Sequence, residues 1–282
     1  MAKRSLRLKL FTGSILTAVI YSTLSADVTA QQSASVPDFS SNLVGWVTAT
    51  GEFSAVPGEP RPTSNDPAHP RISNREAART HKQPTYRIAD LTNPNLKPWV
   101  VERMKKDNEE VFAGKIAFTA RSHCMPAGVP GFLVYPLSAF FFLQTPKEVV
   151  MIFSGDQQVR HIYLDVPHSA HLKPSWYGES IGHYEGDTLV VDTIGLNDKT
   201  FLDNYRTPHT DKLHVIERWK LSDDGYSLEA NVRVEDPDAF YQPWSGIVRY
   251  FLVRQEMQEE VCAEGNRQLF DYGIPVAEKP DF

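Results

Sequence analysis

Between Ala139 and Arg254 the chain keeps returning to one local pattern, a short run rich in Val, Ile, Tyr, Phe and Trp followed by turn residues. The runs are Ala139–Thr145, Glu148–Phe153, Gln158–Leu164, Thr188–Ile194, Leu213–Leu221, Tyr226–Glu235 and Trp244–Arg254. In the clearest of them, Tyr226, Leu228, Ala230, Val232 and Val234 alternate with Ser227, Glu229, Asn231, Arg233 and Glu235. That period of two belongs to a strand with one buried and one wet face. No helical segments alternate with the runs, which disfavours a parallel α/β sheet. The expectation is a mainly β fold, an antiparallel meander that closes into a lipocalin-like barrel or folds into a sandwich. One helix is predicted near 98–112, with Pro98 at its first position, Gly114 as its stop and Val100, Met104 and Val111 as its apolar stripe.

The N-terminus adds a targeting signal. Lys3, Arg4, Arg7 and Lys9 precede an uncharged apolar run, Leu10–Leu24, and Val28-Thr29-Ala30 supplies small residues for cleavage. The run is shorter than the roughly 20 residues a spanning helix needs. Residues 1–30 therefore read as a cleavable signal peptide of a periplasmic or secreted protein that begins near Gln31, with no stable membrane insertion afterwards. Residues 31–95 form a Pro-rich N-terminal arm with one strand-like island, Leu43–Val47, and residues 96–282 a single β-rich domain. The full chain has 29 Lys and Arg against 35 Asp and Glu, a net charge of -6. Residues 1–30 hold four basic residues and one acidic residue, so the remainder stands at -9. That balance argues against a nucleic-acid partner. Cys124 and Cys262 are the only cysteines. In an oxidising compartment they form a disulfide, and no C-x-x-C suggests redox or zinc-thiolate chemistry.

The densest chemistry lies between Lys173 and Thr210. Asp192 shares a strand face with Val190 and Ile194, and Glu217 shares one with Leu213, Val215, Trp219 and Leu221. A carboxylate among apolar neighbours is either paired, with an inward Arg such as Arg160, or a group with a raised pKa in a cavity. Glu185-Gly186-Asp187 reads as a hairpin turn. Gly178-Glu179-Ser180-Ile181-Gly182 matches the nucleophile-elbow spelling, but a nearby Pro174 and a following hairpin replace the strand and helix that motif needs. His183 and His209 complete an acid–base set with Asp192 and Glu217. Arg160, Tyr163, Trp176, Tyr177 and Glu179 are candidates to position a substrate. His168 and His171 are the weak metal candidates, and no H-E-x-x-H spacing supports them.

Cys124-Met-Pro-Ala-Gly-Val-Pro130, Trp176-Tyr-Gly-Glu-Ser180, Glu185-Gly-Asp-Thr-Leu-Val-Val-Asp192, Pro208-His-Thr210, Glu217-Arg218, Asp236-Pro237 and Pro243-Trp244 occur together. In combination they resemble a widespread family of exported bacterial proteins of uncharacterised function, over most of the chain after Leu91. The resemblance implies an exported location and a mostly β character, and carries no reaction or cofactor.

The leading functional expectation is an exported, cofactor-independent enzyme of isomerase, lyase or hydratase type. It would act by His and carboxylate acid–base chemistry on a small, partly apolar molecule in a barrel pocket. The alternatives are a non-catalytic small-ligand-binding protein and a metal-dependent hydrolase built on His168, His171, His183 and His209.

Overall fold

The computed structural model describes residues 36–262, except for 41–44, 49, 83–84, 116–118, 121–123, 136–138, 156–157, 255, 258 and 260. Residues 1–30, with the expected signal peptide, lie outside the described residues. Among the described residues, ten strands follow the chain: β1 Gly45–Val47, β2 Ser54–Ala55, β3 Phe140–Gln144, β4 Glu148–Phe153, β5 Gln158–Leu164, β6 Glu179–Glu185, β7 Thr188–Ile194, β8 His214–Leu221, β9 Ser227–Glu235 and β10 Trp244–Val253. Two helices, α1 Asn74–Thr80 and α2 Pro98–Phe112, precede β3. The sheet runs β1-β3-β4-β5-β6-β7-β8-β9-β10-β2, and β1 also pairs with β10. Those pairings close nine strands into a barrel, with β2 added on β10. The meander is a barrel and not a sandwich.

One seam departs from the antiparallel expectation. β5 and β6 run parallel, with Ile162 opposite Ser180 and Leu164 opposite Gly182. Parallel neighbours need a crossover of about a dozen residues or more, and residues 165–178 provide it. This is also why β6 is missing from the expected runs although the 185–187 turn implies a strand before it: Pro174 and the Gly178–Gly182 spelling look like loop, and no tight turn leads into the strand. Its exit is conventional. Gly186 adopts φ +62° in the predicted turn between β6 and β7, where a positive φ suits glycine.

The N-terminal stretch supplies the stave that completes the wall. Trp46 on β1 faces Phe140 of β3 on one side and Leu252 of β10 on the other. Its indole donates to the Phe39 carbonyl at 2.9 Å. α2 has the predicted bounds but a different stripe, because Val100, Met104 and Asn108 are buried. Asn108 is there for its amide, which both donates to and accepts from the Ala89 backbone at 3.0 Å, tying the Pro-rich stretch to the helix. α1 is a second helix, capped by the Ser73 side chain, which accepts from the Glu76 amide. Seven residues with little apolar pattern left no helical period to detect.

The barrel interior is packed with aromatic rings. Trp219 stacks on Tyr250 at 5.6 Å between centroids, and Phe140 and Phe142 meet Trp219 edge-on. The Tyr250 hydroxyl donates to the Leu133 carbonyl at 2.8 Å. Burial, followed by the charge of Glu217, pushes this phenol far above its ordinary range. Cys124 and Cys262 form a disulfide across a sequence separation of 138. Closing so long a loop stabilises the fold by about 5 kcal/mol in the chain-entropy model. Oxidising compartments preserve such bonds. Among the described residues no helix is long and apolar enough to cross a membrane.

Candidate functional site

Strand parity sends the two carboxylates singled out by their apolar neighbours to opposite sides of the wall. On β7, Leu189, Val191 and Thr193 are buried, while Asp192 alternates with them and faces outward. On β8, Val215, Glu217 and Trp219 point inward. Val191 lies opposite Glu217 and Asp192 opposite Ile216, so the carboxylates occupy neighbouring rungs of neighbouring strands.

Inside, Glu217 pairs with Arg160, and both are sealed, at 0% and 2% side-chain exposure. The guanidinium Nη1 donates to Glu217 Oε2 at 3.0 Å, and Nη2 lies 2.8 Å from Oε1. Nη2 spends its aligned N–H on the Thr193 hydroxyl at 2.7 Å, which leaves Oε1 in ionic contact without a directed hydrogen bond. Nε donates to Ser180 Oγ at 3.0 Å, and the Trp219 indole donates to Glu217 Oε2 at 2.9 Å. The guanidinium also lies over the Phe132 ring. Ser180 is thus a buried link between Arg160 and Thr193, on a strand and not on an elbow. The network ties β5, β6, β7 and β8 together through charge that stays paired.

Outside, Asp192 belongs to a different array. Its Oδ1 lies 3.0 Å from Nε2 of His168 and 3.0 Å from Nε2 of His214. His168 turns its other nitrogen to Glu179 Oε1 at 3.0 Å, and His214 turns its own to Glu235 Oε2 at 3.5 Å. Ser169 donates to Glu179 from its amide at 2.7 Å and from its hydroxyl. The Ser169 hydroxyl is the main reason that the Glu179 carboxyl sits below its ordinary range. The side chains of His168, Glu179, Asp192, His214 and Glu235 are partly open to water, between 20% and 38% exposed. Among the described residues no group of three His, Cys, Asp or Glu side chains surrounds a point suited to a metal ion.

A cleft opens beside this array. The pairing of β5 with β6 starts only at Ile162, opposite Ser180, so the first half of β5 has no strand partner on that side, and the crossover covers the gap. The cleft holds about 390 Å³ between Val159, Arg160, His161 and Tyr163 of β5, His171, Leu172 and Lys173 of the crossover, and Tyr177, Gly178, Glu179 and Ser180. That volume lies in the range of small-molecule sites, roughly 300–1,000 Å³. Gly178 lets the wall come close: its φ is +63°, and a Cβ there would fall 2.4 Å from the Ile194 carbonyl oxygen. The Tyr177 hydroxyl donates to Gln158, and its ring meets Phe132 edge-on. Tyr163 stacks on His161, whose Nδ1 lies 2.5 Å from Glu148 Oε1. His171 and Lys173 are exposed and make no hydrogen bond or ion pair with other described residues.

Four of the five expected substrate-positioning residues, Arg160, Tyr163, Tyr177 and Glu179, thus line one cleft, while Trp176 is half-buried outside its lining. The four expected acid–base residues lie apart. Glu217 is in the barrel interior and Asp192 in the outer array. His183 is exposed on β6, 3.1 Å from Glu185. His209 is buried in the β7–β8 connection, where Nδ1 donates to the Thr210 carbonyl at 3.0 Å and Nε2 accepts from Thr200 at 2.7 Å. That neutral tautomer is fully used, and burial pushes the pKa of the ring down. Of the two metal candidates, His168 joins the outer array and His171 the cleft. His161 and Glu148 escaped the sequence reading, although the β4–β5 hairpin register makes them diagonal neighbours, with Val150 opposite His161 and Glu148 opposite Tyr163. Comparison with family models, curated proteins and solved structures returns no match for this chain.

Proposed function

We propose that the chain is an exported binding protein for a small, partly apolar molecule that carries a negative charge, held in the cleft between β5 and the crossover. The observation that carries this reading is the convergence of aromatic walls, Tyr163 and Tyr177, with two cationic or polar side chains, Lys173 and His171, that have no partner among the described residues. Apolar walls with a few polar groups to fix orientation are the usual build of a small-molecule site. Arg160 lies at the back of the cleft but is neutralised by Glu217, so the anion contact falls to Lys173. No cofactor is required for this role. The basic, then apolar, N-terminal segment and the disulfide support export. The outer wall of the barrel carries ion pairs such as Arg218–Glu185, Lys220–Asp187 and Arg249–Glu229, unlike the apolar band of a membrane barrel. The net acidic charge argues against a nucleic-acid partner.

The test is ligand-observed NMR of the purified chain with a set of small aromatic carboxylates and their neutral amides. The reading expects binding by acids over amides, and Lys173→Ala or Tyr177→Ala should weaken it about tenfold, the loss of one charge-assisted or stacking contact. Equal binding of acids and amides, or binding untouched by both substitutions, sinks it.

One observation favours catalysis as a second reading. His161 lines the cleft with its Nδ1 held by Glu148, an orientation that leaves Nε2 for proton transfer. Acid–base chemistry of isomerase, lyase or hydratase type would then rest on His161 and not on the scattered set of His183, Asp192, His209 and Glu217. His161→Gln would stop turnover of a bound ligand while leaving its binding intact; turnover that survives the substitution removes this reading.

A further inference from the structure

The crossover is anchored to the barrel mainly at its ends. The Asp165 amide donates to the Gly182 carbonyl at 2.8 Å, and the Ser175 amide donates to the Gly195 carbonyl at 3.0 Å. Between them, among the described residues, hydrogen bonds to the sheet come from His168 and Ser169. His171, Leu172 and Lys173, which form one wall of the cleft, hang from that middle section. Leu172 rests near Gly195.

The His168 contacts have a protonic requirement. A neutral imidazole has one N–H and one lone pair. His168 has a carboxylate oxygen 3.0 Å from each ring nitrogen, Glu179 of β6 at Nδ1 and Asp192 of β7 at Nε2. In the neutral ring, one of these contacts sets a lone pair against an anion. In the imidazolium, both become charge-assisted hydrogen bonds. His214 on β8 repeats the arrangement from the other side of Asp192, with Glu235 of β9 at its Nδ1 and Arg233 in turn 2.7 Å from Glu235. His183, Glu185 and Arg218 continue the charged outer face one step along the same strands.

We infer that His168, Asp192 and His214 form a protonation-dependent latch that holds the middle of the crossover against the barrel and so sets the shape of the ligand cleft. With the rings protonated, both imidazoles bind the shared Asp192 oxygen and His168 also grips Glu179. When the rings lose their protons, each keeps one donated hydrogen bond and sets its lone pair against the other carboxylate, so His168 can no longer bind Glu179 and Asp192 together. The strap, left to one His168 contact and the Ser169 bonds to Glu179, loosens and lets Lys173 and His171 move away from β5. A cleft so built releases its ligand as the surroundings turn alkaline. This step rests on the binding reading for its consequence, but the latch itself can be observed without any ligand.

The experiment is amide hydrogen–deuterium exchange on the purified full chain at about pH 5 and about pH 8, corrected for the intrinsic pH dependence of exchange. Protection of the Ser169 amide, the one amide of residues 166–174 with a hydrogen bond among the described residues, should fall roughly tenfold at the higher pH, the scale of losing a charge-assisted hydrogen bond. His168→Gln should give fast exchange in that segment at both pH values, and His214→Gln should reduce the pH effect without abolishing it. Amides of β6, β7 and β8 serve as the internal control for folding and should not change. Protection that is independent of pH, or that is unaltered by His168→Gln, overturns the latch. A ligand whose affinity ignores pH while the strap responds would leave the latch standing and refute its control of the cleft; a responding strap with no ligand from the acid set would leave the latch and remove the binding reading.

Discussion

Glu217 and Asp192 sit on adjacent strands, one rung apart, each flanked at two residues' distance by apolar side chains, and they lead opposite lives. Glu217 is shut inside the barrel, where its charge must be matched permanently by Arg160 and the Trp219 indole. Asp192 faces water, where its partners are two imidazoles whose charge depends on pH. The low dielectric of the interior makes an unmatched charge costly, so the inner pair is suited to holding four strands in register. Partial solvation outside makes each contact weak, and that weakness is what permits a contact to be made and broken.

Three experiments bear on this contrast, in falling order of expected effect. Arg160→Met would leave Glu217 buried without its cation and should cost about 3–5 kcal/mol of stability in urea unfolding. The double substitution Arg160→Met/Glu217→Leu should recover most of that, because a packed apolar pair is tolerated where half an ion pair is not. A double variant no better than the single one would mean that the pair's geometry, and not the orphaned charge, carries the stability.

His209 offers a titration with a defined sign. Burial lowers its pKa in the folded chain, so below the ordinary imidazole value of 6.5 the unfolded chain takes up a proton that the native one refuses. Its contribution to stability is therefore complete above that value and is lost as pH falls toward the folded pKa, at no more than about 1.4 kcal/mol per pH unit. His209→Gln should flatten the stability–pH curve in that window; an unchanged slope would show that His209 is protonated in place.

The smallest effect is expected at Glu179. Its carboxyl is held down chiefly by the Ser169 hydroxyl, so Ser169→Ala should move its titration, followed by NMR, upward toward the ordinary carboxylate range. The Glu179–Ser169 contacts are present above the unfolded carboxylate value and are lost as pH falls through the lowered folded one. Acid should therefore loosen the strap from the Glu179 side, as alkali does from the His168 side. A Glu179 titration indifferent to Ser169 would mean that this hydroxyl does not hold the Glu179 carboxylate.

These particulars also define what could be read from the sequence. Short runs rich in β-branched and aromatic residues between turn signals identify seven of the barrel strands, with the clearest period-two alternation in β9, and the Pro98 start identifies α2. β6 was hidden, since Gly178 and Gly182 serve a parallel seam and a close approach to Ile194 that no local pattern announces. Counting by twos marks Asp192 and Glu217 as alike, because β7 has apolar residues on both faces: Val190 is buried although it points outward. Which face is inward was fixed by closure of the whole barrel. Tyr163, Tyr177, Glu179 and Arg160 were legible as polar and aromatic residues near a turn-rich stretch. The meeting of His168 with Asp192 and His214 was not, because the crossover that carries His168 has no periodicity to give its path.

The most direct test of the contrast is a paired measurement of unfolding free energy for Glu217→Gln and Asp192→Asn, with the exchange of residues 166–174 followed in the same samples. The account predicts that Glu217→Gln loses about 3 kcal/mol or more while the folded fraction keeps a protected strap, and that Asp192→Asn loses less than about 1 kcal/mol while freeing the strap. A Glu217→Gln chain of native stability, or an Asp192→Asn chain that unfolds as readily while its strap stays protected, would contradict it.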